Sequence, residues 1–94
     1  MITIVAKSIL IEGKKQEFLD ITAELIRESR NEKGNKSYNL FEDMNNPDIV
    51  TFIEEWEDEE AIRLHNESKH FKSIVPKLAE LRQDGSEANK YRRI

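Results

Sequence analysis

Cysteine is absent from this 94-residue chain, which excludes a disulfide framework and any thiol chemistry. No apolar run approaches the roughly 18 residues of a membrane span. The opening Met1-Ile-Thr-Ile-Val-Ala has no basic region ahead of its apolar residues and no signal-peptide pattern, so a cytoplasmic location is expected. Positive charge is not in excess: 15 basic against 19 acidic residues leave a net −4. The charges are spread along the chain, without the basic patch or stripe that marks a nucleic-acid reader. Glycine and proline are scarce, at three and two, and no low-complexity segment, repeat or linker divides the sequence. One small domain spanning residues 1–94 is predicted. The core of so short a chain is thin, which favours association as a way of burying more apolar surface.

What is present is periodic. Ile2 to Ile11 is rich in β-branched residues and predicts a strand with apolar side chains on both faces. Gly13 breaks it. Lys14 to Lys33 has helical spacing, with Phe18, Ile21, Leu25 and Ser29 on one stripe, Thr22 and Ile26 beside it, and Leu19 widening it. Gly34 reads as a left-handed C-terminal stop. Lys36 to Met44 alternates as a strand, with Tyr38, Leu40, Glu42 and Met44 on one face. Asn45-Asn-Pro-Asp48 is a turn. Ile49 to Trp56 returns antiparallel, with Phe52, Glu54 and Trp56 on one face.

Asp58 can cap a helix to about Asn66. Ser68 opens another helical segment through Phe71 and Ile74. Pro76 predicts a break before it, because proline fits a helix best in the first turn. Leu78 and Leu81 continue the pattern, Gln83 to Glu87 is loop, and Ala88 to Ile94 is a closing strand with Tyr91 inward. The order strand, helix, strand, strand, helix, strand is that of an α+β, ferredoxin-like fold. Its antiparallel sheet carries helices on one face only. The other face needs cover, and a second copy of the sheet would supply it. A homodimer is therefore expected.

The only tryptophan and both histidines fall in one short span: Phe52-Ile-Glu-Glu-Trp56, then His65, then His70-Phe71. Such residues can build an aromatic pocket with a titratable edge. A metal site is not expected. The histidines are five apart, a spacing that does not share a helix face. Glu67 lies between them, and neither a cysteine nor a third histidine completes a zinc set. Lys90-Tyr-Arg-Arg93 is too short a basic cluster for nucleic acid.

Tyr38-x-Leu40-x-x-Asp43, the Asn46-Pro47 turn, Phe52-x-x-x-Trp56, Ala61-x-x-x-His65 and Ser68-x-His70-Phe71 together resemble the antibiotic biosynthesis monooxygenase superfamily. The resemblance covers nearly the whole chain. It implies a dimeric α+β barrel and, in its quinol-monooxygenase and polyketide-tailoring members, oxidation by O2 without metal, flavin or haem. The stretch His65-x-x-x-x-His70-aromatic-Lys72 also resembles the autoinducer-2-degrading protein. The haem-degrading branch fits poorly: its first-strand asparagine and haem-ligating histidine correspond here to Lys7 and Val75.

The resemblance implies a substrate that is a small quinol or polyhydroxylated aromatic, with O2 as co-substrate and no cofactor. Such a reaction needs an apolar box, a base, and a polar group to hold the resulting anion. Phe52 and Trp56 would wall the box. His65 would be the base, since imidazole titrates near neutrality. Tyr38, or Asn39 on the opposite face, would hold a substrate oxygen, and His70 would assist at the mouth. Each also has a structural reading: Trp56 as core or interface, Tyr38 as a packed ring with a tethered hydroxyl, His65 as a satisfied core histidine, His70 as a surface residue at a helix start. Glu54 on the same face would need a cation, for which Lys7 and Arg92 are candidates. Two rival functions remain. One is an enzyme of the autoinducer-2-degrading type, acting on a small phosphorylated sugar-like substrate gripped by Lys7, Lys69 or Lys72. The other is a non-enzymatic small-molecule-binding module.

Overall fold

Period-two strands and two side-chain-capped helices place the site. A computed structural model describes residues 1–94, in the order β1 (Ile2–Ile9), α1 (Lys15–Arg30), β2 (Asn35–Glu42), β3 (Ile49–Trp56), α2 (Glu59–Asn66), α3 (Lys69–Ala79) and β4 (Glu87–Tyr91). The strands form one antiparallel sheet in the order β2-β3-β1-β4, the ferredoxin-like arrangement expected. Gly13, with φ of 83°, turns the chain from β1 into α1 in a conformation that side chains with a Cβ rarely adopt. The Asp58 carboxylate accepts from the Ala61 N–H at 2.8 Å, and Ser68 Oγ accepts from the Phe71 N–H at 3.2 Å. These two caps satisfy otherwise orphaned donors and fix where α2 and α3 begin.

Register decides which side chains meet. Ile4 lies opposite Glu54, Ala6 opposite Phe52, and Tyr38 opposite Glu54 across the neighbouring pair. This set faces the helices. Phe18, Thr22, Leu25 and Ser29 are the buried stripe of α1, and Ile62, Ile74 and Leu78 close the layer from α2 and α3. The core so formed stands between one sheet face and the helices.

Several expectations change. β1 ends at Ile9, and Leu10 makes only an isolated bridge to Arg82. Leu19 is exposed and does not widen the α1 stripe. α1 stops at Arg30, where Asn31 and Glu32 donate to the carbonyls of Glu28 and Ser29 in tight turns. Met44 lies outside β2 and is wholly exposed. α3 runs through Pro76 without breaking. Pro76 and Lys72 are both exposed, so the Lys72 carbonyl that loses its helical donor can turn to water, while buried Ile74 and Leu78 hold the inner face. β4 ends at Tyr91, which lies opposite Thr3 on the outer sheet face and is exposed, not inward.

Gly34 has no left-handed backbone. Its role is close approach: a Cβ there would lie 2.3 Å from the Ala61 Cβ. Ala61 is on α2, one turn ahead of His65. Gly34→Ala should therefore destabilise the protein by about 1–3 kcal/mol through overpacking, read by urea unfolding. An unchanged midpoint would show that α2 yields freely at this contact.

Candidate active site

A cavity of about 340 Å³ lies between sheet and helices, lined mostly by hydrophobic side chains. Its polar lining includes Tyr38 from β2, Glu54 from β3 and His65 from α2, with Phe52, Phe71 and Ile4 among the apolar groups. A mostly apolar hollow with a few converging titratable groups is the usual form of a small-molecule site.

His65 is the pivot. It is 2% exposed. Its ring packs 4.4 Å from that of Trp56, and the edges of Tyr38 and Phe71 approach at 5.6 and 5.1 Å. Nδ1 lies 2.6 Å from Glu32 Oε2. With Glu32 ionised, Nδ1–H donates and Nε2 carries the lone pair. Nε2 has no hydrogen-bond partner in the chain, yet it is not sealed off, because Ser29 Oγ is the only buried side-chain polar atom left without one. Burial pushes the His65 pKa below its ordinary value. The hydrogen bond and charge of Glu32 oppose this, and neighbouring His70 adds to the lowering. The ring is thus neutral near pH 7, oriented by a carboxylate, with a free basic nitrogen.

Glu32 also accepts from His70, whose Nε2 is 2.8 Å from the same oxygen. The five-residue spacing argument for keeping the histidines apart does not hold, because α2 ends at Asn66 and α3 starts at Lys69. The two rings approach from different helices. By residue type, Glu32, His65 and His70 could hold a metal ion, and their ligand atoms all lie within 4.8 Å of one another. As placed, the carboxylate oxygen is hydrogen-bonded to each nitrogen, at 2.6 and 2.8 Å. Neighbouring donors around a zinc ion bound at ~2.0–2.1 Å would stand roughly 3.3 Å apart. The three side chains form a hydrogen-bonded hub at the rim of the aromatic cluster, and His70 does not line the cavity.

Glu54 has no cation partner. Lys7 lies opposite Thr51 on the other sheet face, and Arg92 follows the end of β4 in an exposed position. The buried Glu54 carboxyl accepts from the Trp56 indole N–H at 2.9 Å. Burial raises its pKa to about 7, against the lowering effect of that hydrogen bond and with a further rise from the charge of Glu32. Tyr38 is raised well above the usual phenol range by burial and by the Glu54 charge, so its hydroxyl stays a donor. Trp56 is fully buried and backs His65 and Glu54 without lining the cavity. Phe52 lines it as expected. Asn39 does not reach it: its Oδ1 accepts from Arg30 Nη2 at 2.9 Å, and the same guanidinium donates to the Tyr38 carbonyl at 3.0 Å. Glu32 was not foreseen. It follows a helix in a charged run and carries no local signal of its tertiary partners.

Converting Glu32 to glutamine should lower the His65 pKa further, since the main influence opposing burial is lost. Any reaction using the free imidazole should then show its acid limb at lower pH with a smaller plateau, read from a pH–rate profile. An unmoved limb would separate Glu32 from the base.

Comparison with known proteins gives a consistent family signal. Residues 1–77 match the family model described as antibiotic biosynthesis monooxygenase. YcnE of Bacillus subtilis, provisionally named a monooxygenase, is 41% identical over 68 residues, 72% of either chain. The crystal structure of a conserved protein from Methanosarcina mazei is 39% identical, covering 99% of this chain and 92% of its own, with a TM-score of 0.96. A crystal structure described as an antibiotic biosynthesis monooxygenase is 26% identical, covering 100% and 99%, with a TM-score of 0.94.

Proposed function

The chain belongs to the antibiotic biosynthesis monooxygenase family, and from that membership we propose that it oxidises a small quinol or polyhydroxylated aromatic with O2, using no cofactor. The observation that carries this reading is the free Nε2 of His65 at an apolar cavity, with Glu32 on the opposite nitrogen and Tyr38 lining the same cavity. His65 takes a proton from a substrate hydroxyl. Tyr38 donates to the resulting anion, which its own high pKa equips it to do without losing its proton. The electron-rich anion passes one electron to O2, and the radical pair combines at a ring carbon bearing hydrogen. The hydroperoxide so formed loses water to leave a carbonyl. One oxygen atom enters the product and the other leaves as water, with the substrate supplying all the electrons. Phe52 and Phe71 offer aromatic surface to the ring and help exclude water.

The second copy belongs to the same proposal. The outer sheet face exposes Ile53, Phe41 and Tyr91, apolar surface that a facing sheet would cover. A dimer of about 22 kDa, twice the 11.1 kDa chain, should appear by light scattering. A phosphorylated sugar is less well served: Lys7, Lys69 and Lys72 do not line the cavity, Lys90 is held by Glu59, and Arg82 alone remains against a mostly apolar lining. The test of activity is oxygen uptake with a panel of naphthalene and benzene quinols. Uptake well above autoxidation supports the reading, and none across the panel overturns it.

A further inference from the structure

Arg82, just beyond α3, lines the same cavity and is half-buried. Its backbone is pinned to the end of β1 by the bridge to Leu10, and the adjacent Gln83 N–H donates to the Ile9 carbonyl at 2.7 Å. The side chain is unpaired. The ion pairs of the chain engage Lys14, Lys15, Arg27, Arg63 and Lys90, and Arg30 is held by β2. Asp84 and Glu87 share an adjoining hollow with Arg82 but form no ion pair with it. Lys90 also lines the cavity, yet its ammonium is 3.0 Å from Glu59. A half-buried guanidinium that lines an apolar cavity with no anion of the chain on it keeps its donors free for a ligand, and its planar fork suits a carboxylate.

Position adds the second constraint. Along β1, Ile4 is level with Glu54 and Leu10 with Arg82. These levels are about 20 Å apart at ~3.3 Å per residue, and Arg82 lines the cavity from the far one. The acid–base wall and the guanidinium therefore enter from different ends, with Ala6 and Ala88 lining the space along the sheet. We propose that Arg82 binds a carboxylate at the end of the substrate remote from the hydroxyl that His65 deprotonates. The substrate class is then an elongated, fused-ring quinol or polyhydroxylated aromatic carrying an acid group. This rests on the reading of the cavity as a phenol site.

The test uses two ligands that lack a second hydroxyl and so bind without turning over: 6-hydroxy-2-naphthoate and 2-naphthol, titrated calorimetrically against the full chain. The carboxylate should bind about tenfold tighter, and added salt should weaken it but not the naphthol. Arg82→Gln should abolish the preference while leaving 2-naphthol affinity unchanged, and Arg82→Lys should restore part of it. Equal affinities for the wild type, or a preference that survives in Arg82→Gln, would overturn the inference and leave the phenol site standing. Should the glutamine variant not fold, the wild-type pair and its salt dependence still decide. Failure of both ligands to bind would overturn the phenol site and the inference with it.

Discussion

Replacing His65 by glutamine should lower kcat/KM for quinol oxidation by about 10²–10⁴-fold, the usual contribution of a positioned general base. Glutamine can keep a donor on Glu32 and fills a similar volume, so the hub and the fold should persist while the basic nitrogen is lost. The loss should fall on kcat more than on KM, because the imidazole is asked to act on the reacting proton and Phe52 and Phe71 supply the ring contacts. Steady-state oxygen consumption read beside circular dichroism separates the two. Wild-type rates in a folded variant would remove His65 from the mechanism and leave it a buried structural histidine.

The second large effect is on stability. Glu54 has its pKa raised from the ordinary 4.5 to about 7, so between these values the folded protein holds a proton that the unfolded chain has released. Stability must then fall as pH rises across that window, because ionising the buried carboxyl is easier once the chain unfolds. At 1.36 kcal/mol per unit the full effect is about 3 kcal/mol, complete above pH 7. Glu54→Gln keeps an acceptor for the Trp56 indole and cannot ionise. The variant should match the wild type near pH 4.5 and exceed it by up to about 3 kcal/mol at pH 8, measured by urea unfolding at each pH. A wild-type-minus-variant difference that does not change with pH would mean that Glu54 ionises in the fold as it does in water. A group poised near neutrality on a cavity wall, costing stability once ionised, is a candidate for a functional role.

The fold was legible where local chemistry repeats. Alternation in Ile49 to Trp56, the cap at Asp58 and the cap at Ser68 each agree with the observed elements. Legibility ended where tertiary contact overrides the local rule. Pro76 stays in a helix because its outer face is wet, and Gly34 exists for Ala61, 27 positions away in sequence, not for its own backbone. Of the residues that line the cavity, His65, Tyr38 and Phe52 could be picked from residue type and strand parity. Parity also separates Asn39 from Tyr38, since neighbours on a strand point to opposite faces. Glu32 and Arg82 could not be picked. Each is one charged residue among many, just after a helix, and only folding brings one to the two histidines and the other to the cavity. The ion pair expected for Glu54 failed because Lys7 sits at an odd position of β1 and faces away.

On the proposed chemistry the protein chain alone directs one atom of O2 into its substrate. Reaction of a naphthalene quinol under ¹⁸O₂, with mass spectrometry of the product, tests this directly. One labelled oxygen per product molecule, the other recovered in water, is the predicted result. A product without label, formed with hydrogen peroxide or not formed at all, would contradict it.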